Sequence, residues 1–236
     1  MFTKNEFNQE VGFTLDNWQP AERPQKINLR GEYCVLEPLD VDKHALALFD
    51  ALQIDNSGES WTYLPYGPLK TYTEFCQWVN LTAENANTLL YAILEAKSNQ
   101  PIGICGYLNI NSEHGSIEVG HLHYSKLLQK SPAATEAMYL MMHQALEVLK
   151  YRRYEWKCDS LNQPSINAAK RLGFTFEGIF RQHCTFKNRN RDTAWFSIID
   201  GEWPTIKQKV VKWLDPCNFD VNGNQIKSLR DIALDE

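Results

Sequence analysis

The residues best suited to chemistry lie where a strand pattern passes directly into a long helix pattern. The small and polar members of this junction are Gln129, Lys130, Ser131, Ala133, Ala134 and Thr135. Ser131 is a good N-cap and Pro132 suits the first helical turn. The first N–H groups of a helix lack internal partners and carry positive dipole density, so they bind phosphate well. The junction predicts a phosphate site; the alternative is a well-capped core helix.

A second junction of the same kind follows the next predicted strand. Asn162 is an N-cap, Ser165 lies in the first helical turn, and Gly173 is a C-cap before a new strand. Taken alone, this segment predicts only strand, short helix and strand.

Hydrophobic spacing predicts the elements that position these junctions. Strands are expected at 33–37, 88–96, 102–110, 117–125, 153–158, 174–180 and 193–199. Helices are expected after the caps Asp40 and Thr71, at 132–150 and at 162–172. The order βααβββαβαββ is a mixed α/β, or α+β, layout. The helix at 132–150 favours a parallel crossover between the strands that flank it.

Composition excludes several classes of protein. Hydrophobic residues are 43% and charged residues 22%, which is typical of a globular chain, and the net charge is −5. An acidic chain is not expected to bind nucleic acid generally. The six cysteines form no CxxC pair, so no metal site is predicted. No apolar run is long enough to cross a membrane and the N-terminus is polar, which predicts a cytoplasmic protein without membrane partners.

Four segments in register resemble the GNAT superfamily of acyl-CoA-dependent N-acyltransferases. They are Ile117–Gly120, Ala134–Ala137, Asn162–Ser165 and Arg171–Gly178. The likeness is strongest to the RimJ/RimL-like branch of ribosomal-protein alanine acetyltransferases. It implies a central, mostly antiparallel, splayed sheet flanked by helices, and it covers roughly residues 28–200. We therefore predict an N-terminal arm at 1–27, a GNAT-like domain at 28–202 and a C-terminal extension at 203–236.

The resemblance implies acetyl-CoA as cofactor and assigns it a binding loop. Gln129 matches the first position of the family's Q/R-x-x-G-x-G/A loop and Ala134 the last. Pro132 stands where the middle glycine belongs, and proline has no N–H to donate. The site would lose one phosphate donor and keep those of Ala133, Ala134 and Thr135, so we expect a modified site rather than a dead one.

The same likeness places the acyl group on a bulged strand. By position this strand is Gly120–Tyr124, so Leu122 and His123 are expected at the cofactor. Asn162 matches a family asparagine whose side chain meets the cofactor, and Ser165 matches a polar position beside it.

The chemistry needs a base for the amine and an acid for the departing thiolate. Glu118 is the first candidate base, acting through water; the alternative is a strand-edge carboxylate paired with Lys or Arg. His123 is the second candidate, and His121 shares its strand parity. The family's tyrosine acid is replaced by Ala169, so Ser165, Asn162 or water must serve instead.

The acceptor side is expected at the aromatic loop between the first two helices. Trp61, Tyr63 and Tyr66 can wall an amine pocket; the alternative for each is packing onto the core. The basic segment 181–191 fits an acidic acceptor, a nucleic acid or a solvated hairpin tip.

These residues predict acetyl transfer from acetyl-CoA to a primary amine, either a protein N-terminus or a small amine, by direct attack in a ternary complex. The alternatives are a non-catalytic acyl-CoA-binding or regulatory module, favoured by Pro132 and the missing tyrosine, and a nucleic-acid-associated protein acting through 181–191. The enzyme is expected as a monomer or homodimer.

Overall fold

Eight strands form one open sheet, and a separate two-stranded hairpin precedes it. The computed structural model describes residues 2–54 and 57–234. The strands are β1 (Phe2–Lys4), β2 (Glu10–Gly12), β3 (Leu29–Arg30), β4 (Cys34–Pro38), β5 (Leu89–Glu95), β6 (Pro101–Asn111), β7 (Ser116–Tyr124), β8 (Arg153–Asp159), β9 (Thr175–Phe186) and β10 (Arg189–Ile199). The helices are α1 (Val41–Gln53), α2 (Tyr72–Ala83), α3 (Pro132–Met142), α4 (Gln163–Arg171) and α5 (Trp203–Leu214).

The sheet has the order β3-β4-β5-β6-β7-β8-β10-β9. Its neighbouring strands are antiparallel except β7 and β8, which are parallel because α3 carries the chain back over the sheet. The predicted fold class and parallel crossover are confirmed, and the predicted element order is confirmed from β4 to β10. The predicted loop at 53–70 includes Asp55 and Asn56, which lie outside the described residues.

Helix starts follow the capping residues. The Asp40 side chain accepts a hydrogen bond from the Lys43 N–H, and Thr71 and Glu74 form a reciprocal capping box. These contacts satisfy N–H groups that have no partner inside the helix. They confirm the predicted starts of α1 and α2.

The helices form layers on the two faces of the sheet. Helices α1 and α2 pack on one face over Val35, Ala92 and Ile104. Helices α3, α4 and α5 pack on the other face over the larger core, which includes Tyr91 and Tyr107. Strands β4 to β6 are covered on both faces as a result.

Helix α5 is the largest element that sequence reasoning missed. The segment 203–236 was interpreted as a polar tail, yet α5 buries Trp203, Val210 and Trp213. The signal was helical spacing between Trp203, Ile206, Val210 and Trp213, with Pro204 in the first turn. Lysines between these positions lower the mean hydropathy of the segment and so obscure the helical spacing.

Three further boundaries differ from the prediction. The helix expected at 132–150 is α-helical only to Met142 and continues as a π-helix at His143–Val148. Strands β9 and β10 extend beyond 174–180 and 193–199, so 181–191 forms the end of their hairpin. Lys187 and Asn188 have φ of 48° and 58°, as a tight hairpin turn requires. The arm also contains the unpredicted hairpin β1–β2.

Trp18 anchors the arm on the β6–β7 turn, as expected. Its indole N–H donates to the Glu113 carbonyl at 3.1 Å, and the Ala21 N–H donates to the Ser112 carbonyl at 2.9 Å. Among the helices at 2–54 and 57–234, none is long and apolar enough to cross a bilayer.

Candidate active site

A gap opens in the sheet where β7 and β8 part. Their parallel pairing runs from Ser116–Arg153 to Val119–Trp156 and then stops, although both strands continue. Beyond that point β8 remains paired with β10 as far as Asp159. The edge of Gly120–Tyr124 that faces β8 therefore has no strand partner, and its backbone can pair with an extended ligand.

A bulge in β7 lies beside this gap. Gly120 pairs with Gly106 and His123 with Ile104, so two residues of β7 face one residue of β6. His121, inside the bulge, has φ of +50°, a left-handed conformation that costs free energy in a residue other than glycine. Bulges bend a strand and redirect its side chains. The predicted splay and bulge are both present.

The start of α3 forms one wall of the gap. Ser131 is the N-cap, and its Oγ accepts a hydrogen bond from the Ala134 N–H at 3.3 Å. Within the part of the chain that the structure describes, the N–H groups of Lys130 and Ala133 have no acceptor. Gln129 donates through Nε2 to the Tyr124 carbonyl at 2.9 Å and so ties this turn to the bulged strand.

The start of α4 lies across the gap from α3. Asn162 caps α4 through Oδ1, which accepts from the Ser165 N–H at 3.2 Å. The Ser165 Oγ accepts from the Trp156 indole N–H at 2.9 Å, and the same hydroxyl is hydrogen-bonded to the Cys158 thiol. On the α3 side, Thr135 Oγ1 accepts from Arg171 at 3.0 Å.

Glu118 lies on the opposite face of the sheet, at the last stretch of β7–β8 pairing. Its Oε2 accepts from Lys157 Nζ at 2.8 Å and from Asn109 Nδ2 at 2.7 Å. No donor among the described residues reaches its Oε1. Side chains of Glu118 and Lys157 are 8% and 12% exposed, so this ion pair is shielded from water. Glu118 is thus paired with Lys157 through Oε2, and its Oε1 remains available to a further hydrogen-bond donor.

The aromatic loop covers the histidines of the bulge. Trp61 is buried with its ring centroid 4.2 Å from that of His123, whose Nε2 lies 3.2 Å from Ser60 Oγ. Tyr66 Oη lies 3.1 Å from His121 Nδ1. Burial lowers the pKa of both histidines to about 4, because desolvation disfavours the charged ring. Both rings are neutral at pH 7.

The β9–β10 hairpin closes over the same face. Lys187 Nζ donates to the Trp61 carbonyl at 2.8 Å, and Arg189 donates to the Thr62 carbonyl at 3.5 Å. Tyr63 Oη donates to the Leu161 carbonyl at 3.1 Å, which ties the aromatic loop to the β8–α4 turn. Under the hairpin lies a cleft of about 230 Å³ whose walls include Glu118.

The structure separates the predicted residues into two groups on opposite faces of the sheet. Ser165 contacts Trp156 and Glu118 contacts Lys157, and adjacent strand residues point to opposite faces. The loop residues 129–135 lie with Ser165, whereas His123 and Trp61 pack against each other on the face of Glu118. The tyrosine that the family uses as acid has no counterpart, since Ala169 is fully buried in the core.

Sequence reasoning missed the residues that surround Glu118. Asn109, Lys157, Arg191 and Trp195 line the cleft with it. They come from β6, β8 and β10, and the alternation along each strand was the only local signal.

The residues at the gap fit the parts of a nucleotide thioester. The free N–H groups at the start of α3 suit a diphosphate, and alanine side chains there leave its backbone accessible. The unpaired edge of β7 suits an amide-containing arm. Pro132 removes one N–H at a position where a helix start leaves that group unpaired in any case.

Comparisons with known proteins give one consistent result. A family model described as an acetyltransferase (GNAT) domain matches residues 34–175. A GCN5-related N-acetyltransferase from Brucella melitensis is 42% identical, with a TM-score of 0.89, over 92% of this chain and 98% of that protein. The uncharacterized N-acetyltransferase p20 of Bacillus licheniformis is 26% identical over 143 residues, 59% of this chain and 78% of that protein.

A more distant structure shares the fold. It is RimL, a ribosomal L7/L12 alpha-N-protein acetyltransferase solved in complex with coenzyme A. It is 18% identical with a TM-score of 0.63, over 74% of this chain and 99% of that protein.

Proposed function

The chain belongs to the GNAT family of acetyltransferases, and from this premise we propose that the β7–β8 gap is where its acetyl transfer from acetyl-CoA to an amine takes place. The parting of the two strands beside the start of α3 is the observation that carries this proposal. The predicted family, fold and N-acetyltransferase activity are confirmed by the comparisons. The individual site residues remain proposals.

The cofactor side of the gap is assigned to the loop and helix start. The N–H groups of Lys130 and Ala133 hold phosphate oxygens, with Ala134 and Thr135 behind them. Gln129 and Ser131 act by fixing the shape of this turn. The edge of β7 at Leu122 and His123 pairs with the pantetheine arm, and Asn162 closes the far side. Acetyl-CoA supplies an acetyl group activated as a thioester.

Glu118 is assigned as the base on the other side. Lys157 and Asn109 hold its Oε2, which leaves Oε1 to take a proton from the amine, directly or through one water. An α-amino group, with a pKa near 8, needs less help from this carboxylate than a lysine side chain near 10.4. His123 is neutral and covered by Trp61, so it is the second choice.

Ser165 is assigned as the donor that stabilises the leaving thiolate. Its Oγ accepts from Trp156, which fixes the oxygen, and its hydrogen would turn from the weakly accepting Cys158 thiol to the leaving thiolate. It replaces the tyrosine absent at Ala169. Trp61, Tyr63 and Tyr66 form the rim of the acceptor entrance, held in place by the hairpin.

The finer points of organisation are also proposals. We propose a protein N-terminus or a small amine as acceptor, a monomer or homodimer, and a cytoplasmic location. We retain the division into 1–27, 28–202 and 203–236, supported by the family match at 34–175. Because α5 packs on the core, the extension belongs to the folded unit.

Ala134→Asp tests the cofactor site. The new carboxylate would face the phosphates, and like charges in contact cost several kcal/mol, so we expect CoA affinity in titration calorimetry to fall at least ~100-fold. An acidic residue in the first turn favours the helix, so the fold should persist. Ala134→Ser is the matched control and should bind within about threefold of wild type. Equal CoA affinity in the Asp variant would mean that the phosphate site lies elsewhere.

Turnover separates the enzyme from a non-catalytic binding module. We expect CoA to raise the melting temperature and acetyl-CoA to be consumed when a panel of amines is supplied. Stabilisation by CoA with no turnover on any amine would favour the binding module.

A further inference from the structure

Two buried hydrogen-bond donors in the cleft beside Glu118 have no partner among the residues that the structure describes. They are Arg191 Nε and Trp195 Nε1, and both residues line the cleft. A buried donor without an acceptor costs roughly 1–3 kcal/mol, and native proteins contain few of them. Two in one small cleft indicate that a ligand supplies the acceptors.

Arg191 contrasts with Arg153 and Arg171, whose guanidinium groups donate to partners within the fold. Arg153 pairs with Glu155 and Glu177, and Arg171 donates to Thr135. Arg191 forms no ion pair and no hydrogen bond within residues 2–54 and 57–234, and its guanidinium stacks on the Phe186 ring at 4.8 Å. Stacking fixes the plane of the guanidinium while leaving its donors available.

The carboxylates and the unpaired donors around the cleft belong to different side chains. Lys157 Nζ lies 2.8 Å from both Glu118 and Glu155, so two carboxylates balance one ammonium. The same ammonium lies 4.0 Å from the Trp195 ring centroid, with the indole N–H left over. The Glu118 end therefore suits a cationic or amine group, whereas Arg191 and Trp195 present only donors.

We propose that Arg191 and Trp195 form a carboxylate subsite, so that the preferred acceptors carry a carboxylate close to the reacting amine. A planar guanidinium matches a carboxylate geometrically, and an indole N–H can only donate. The carboxylate comes either from a free amino acid or from an acidic side chain next to a peptide N-terminus. This inference rests on the proposed function, because it takes Glu118 as the amine end of the same cleft.

Paired acceptors distinguish the two sources of carboxylate. Alanine is compared with alaninamide, and the dipeptide amide Ala-Asp with Ala-Asn. In at least one of these two pairs, we expect the acceptor with the carboxylate to have a kcat/KM about 10–100-fold higher than its uncharged counterpart. That is the range of a hydrogen-bonded charge pair. In Arg191→Gln this preference should fall to about threefold or less, and in Trp195→Phe it should fall partway. Arg181→Gln, exposed on the same hairpin outside the cleft, is the control and should keep it.

A binding measurement stands apart from turnover. With CoA present, N-acetylalanine and N-acetyl-Ala-Asp-amide are compared with their uncharged counterparts by thermal shift. One acidic ligand should stabilise wild type and Arg181→Gln but not Arg191→Gln. Turnover without preference in either pair would overturn the subsite and leave the proposed function intact. Selective binding of the acid without acetylation of any amine would support the subsite and overturn the function.

Discussion

The two halves of the sheet are built differently, and the difference shows where function can reside. In β5 the six residues Leu89–Leu94 are all buried, because α1 and α2 cover one face and α3 covers the other. In β8 every second residue is buried and the rest are half-buried. Among the described residues, no α-helix covers the face of the β7–β8–β10 region that carries Glu118; the aromatic loop and the β9–β10 hairpin lie there instead.

The uncovered face carries a ladder of charges. Glu118, Lys157, Glu155, Arg153 and Glu177 contact one another in that order. Of these five residues, only Glu118 and Lys157 line the cleft. The covered half of the sheet supports the fold. The other half contains charges that stabilise the structure and charges that we assign to catalysis, and substitutions can distinguish these two kinds of charge.

Glu118→Gln should have the largest effect. Removing a general base typically costs about 10²–10⁴ in rate, and we expect kcat to fall within that range while the fold is kept. The control is Glu155→Gln, which also loses a contact with Lys157 but does not line the cleft, and it should cost no more than about threefold. Both are measured as kcat against pH. If Glu118→Gln matched wild type in rate and profile, Glu118 would not be the base.

Ile93→Ala tests the covered half. Ile93 is fully buried, and truncating such a residue costs about 2–5 kcal/mol of unfolding free energy because a cavity remains. Ile199→Ala, on β10 and 45% exposed, is the control and should cost less than about 1 kcal/mol. Urea unfolding measures both, and kcat per folded molecule should stay near wild type. Equal costs at the two positions would contradict the distinction between the halves.

Local pattern predicted the covered half better than the uncovered one. The order from β4 to β10 follows from hydrophobic spacing, and the starts of α1, α2 and α3 follow from Asp40, Thr71 and Ser131, because capping depends on neighbours in sequence. The position where α3 begins was therefore predictable from its sequence, and the phosphate site proposed there stays a prediction.

The surroundings of Glu118 depend on strand order instead. β10 lies between β8 and β9, so Trp195 comes next to Lys157 only because the chain skips a position in the sheet. No local pattern encodes that arrangement. The bulge at His121 was assigned to β7 by the resemblance alone, because it arises from two residues of β7 facing one of β6. Gly106 and Gly120 pair beside it, but they do not determine which strand carries the extra residue.

Burial of His123 on β7 should make the free energy of unfolding depend on pH. Burial lowers the pKa of His123 from 6.5 to about 4, so between these values the unfolded chain binds a proton that the folded chain does not. The contribution of His123 to the free energy of unfolding is fully present above pH 6.5. It is lost as the pH falls towards 4, by about 3 kcal/mol. Urea unfolding of His123→Asn from pH 7 to 4.5 should give a flatter curve. His114→Asn, at an exposed turn, should keep the wild-type slope, and an unchanged slope in His123→Asn would refute this assignment.

Substitution of Arg153, which lies in the part of the charge ladder farther from Glu118, should have the smallest effect on stability and activity. Arg153 pairs with Glu177 at 2.5 Å, and its side chain is 29% exposed, so water screens part of the interaction. We expect Arg153→Gln to cost about 1 kcal/mol or less in urea unfolding and to leave CoA affinity and kcat near wild type. Lys157→Gln, two contacts closer to Glu118 along the ladder, removes a partner of Glu118 and should lower kcat several-fold. If Arg153→Gln lowered kcat as much as Lys157→Gln, the charges of the ladder would act together. The position of Glu118 at the cleft would then not explain its role.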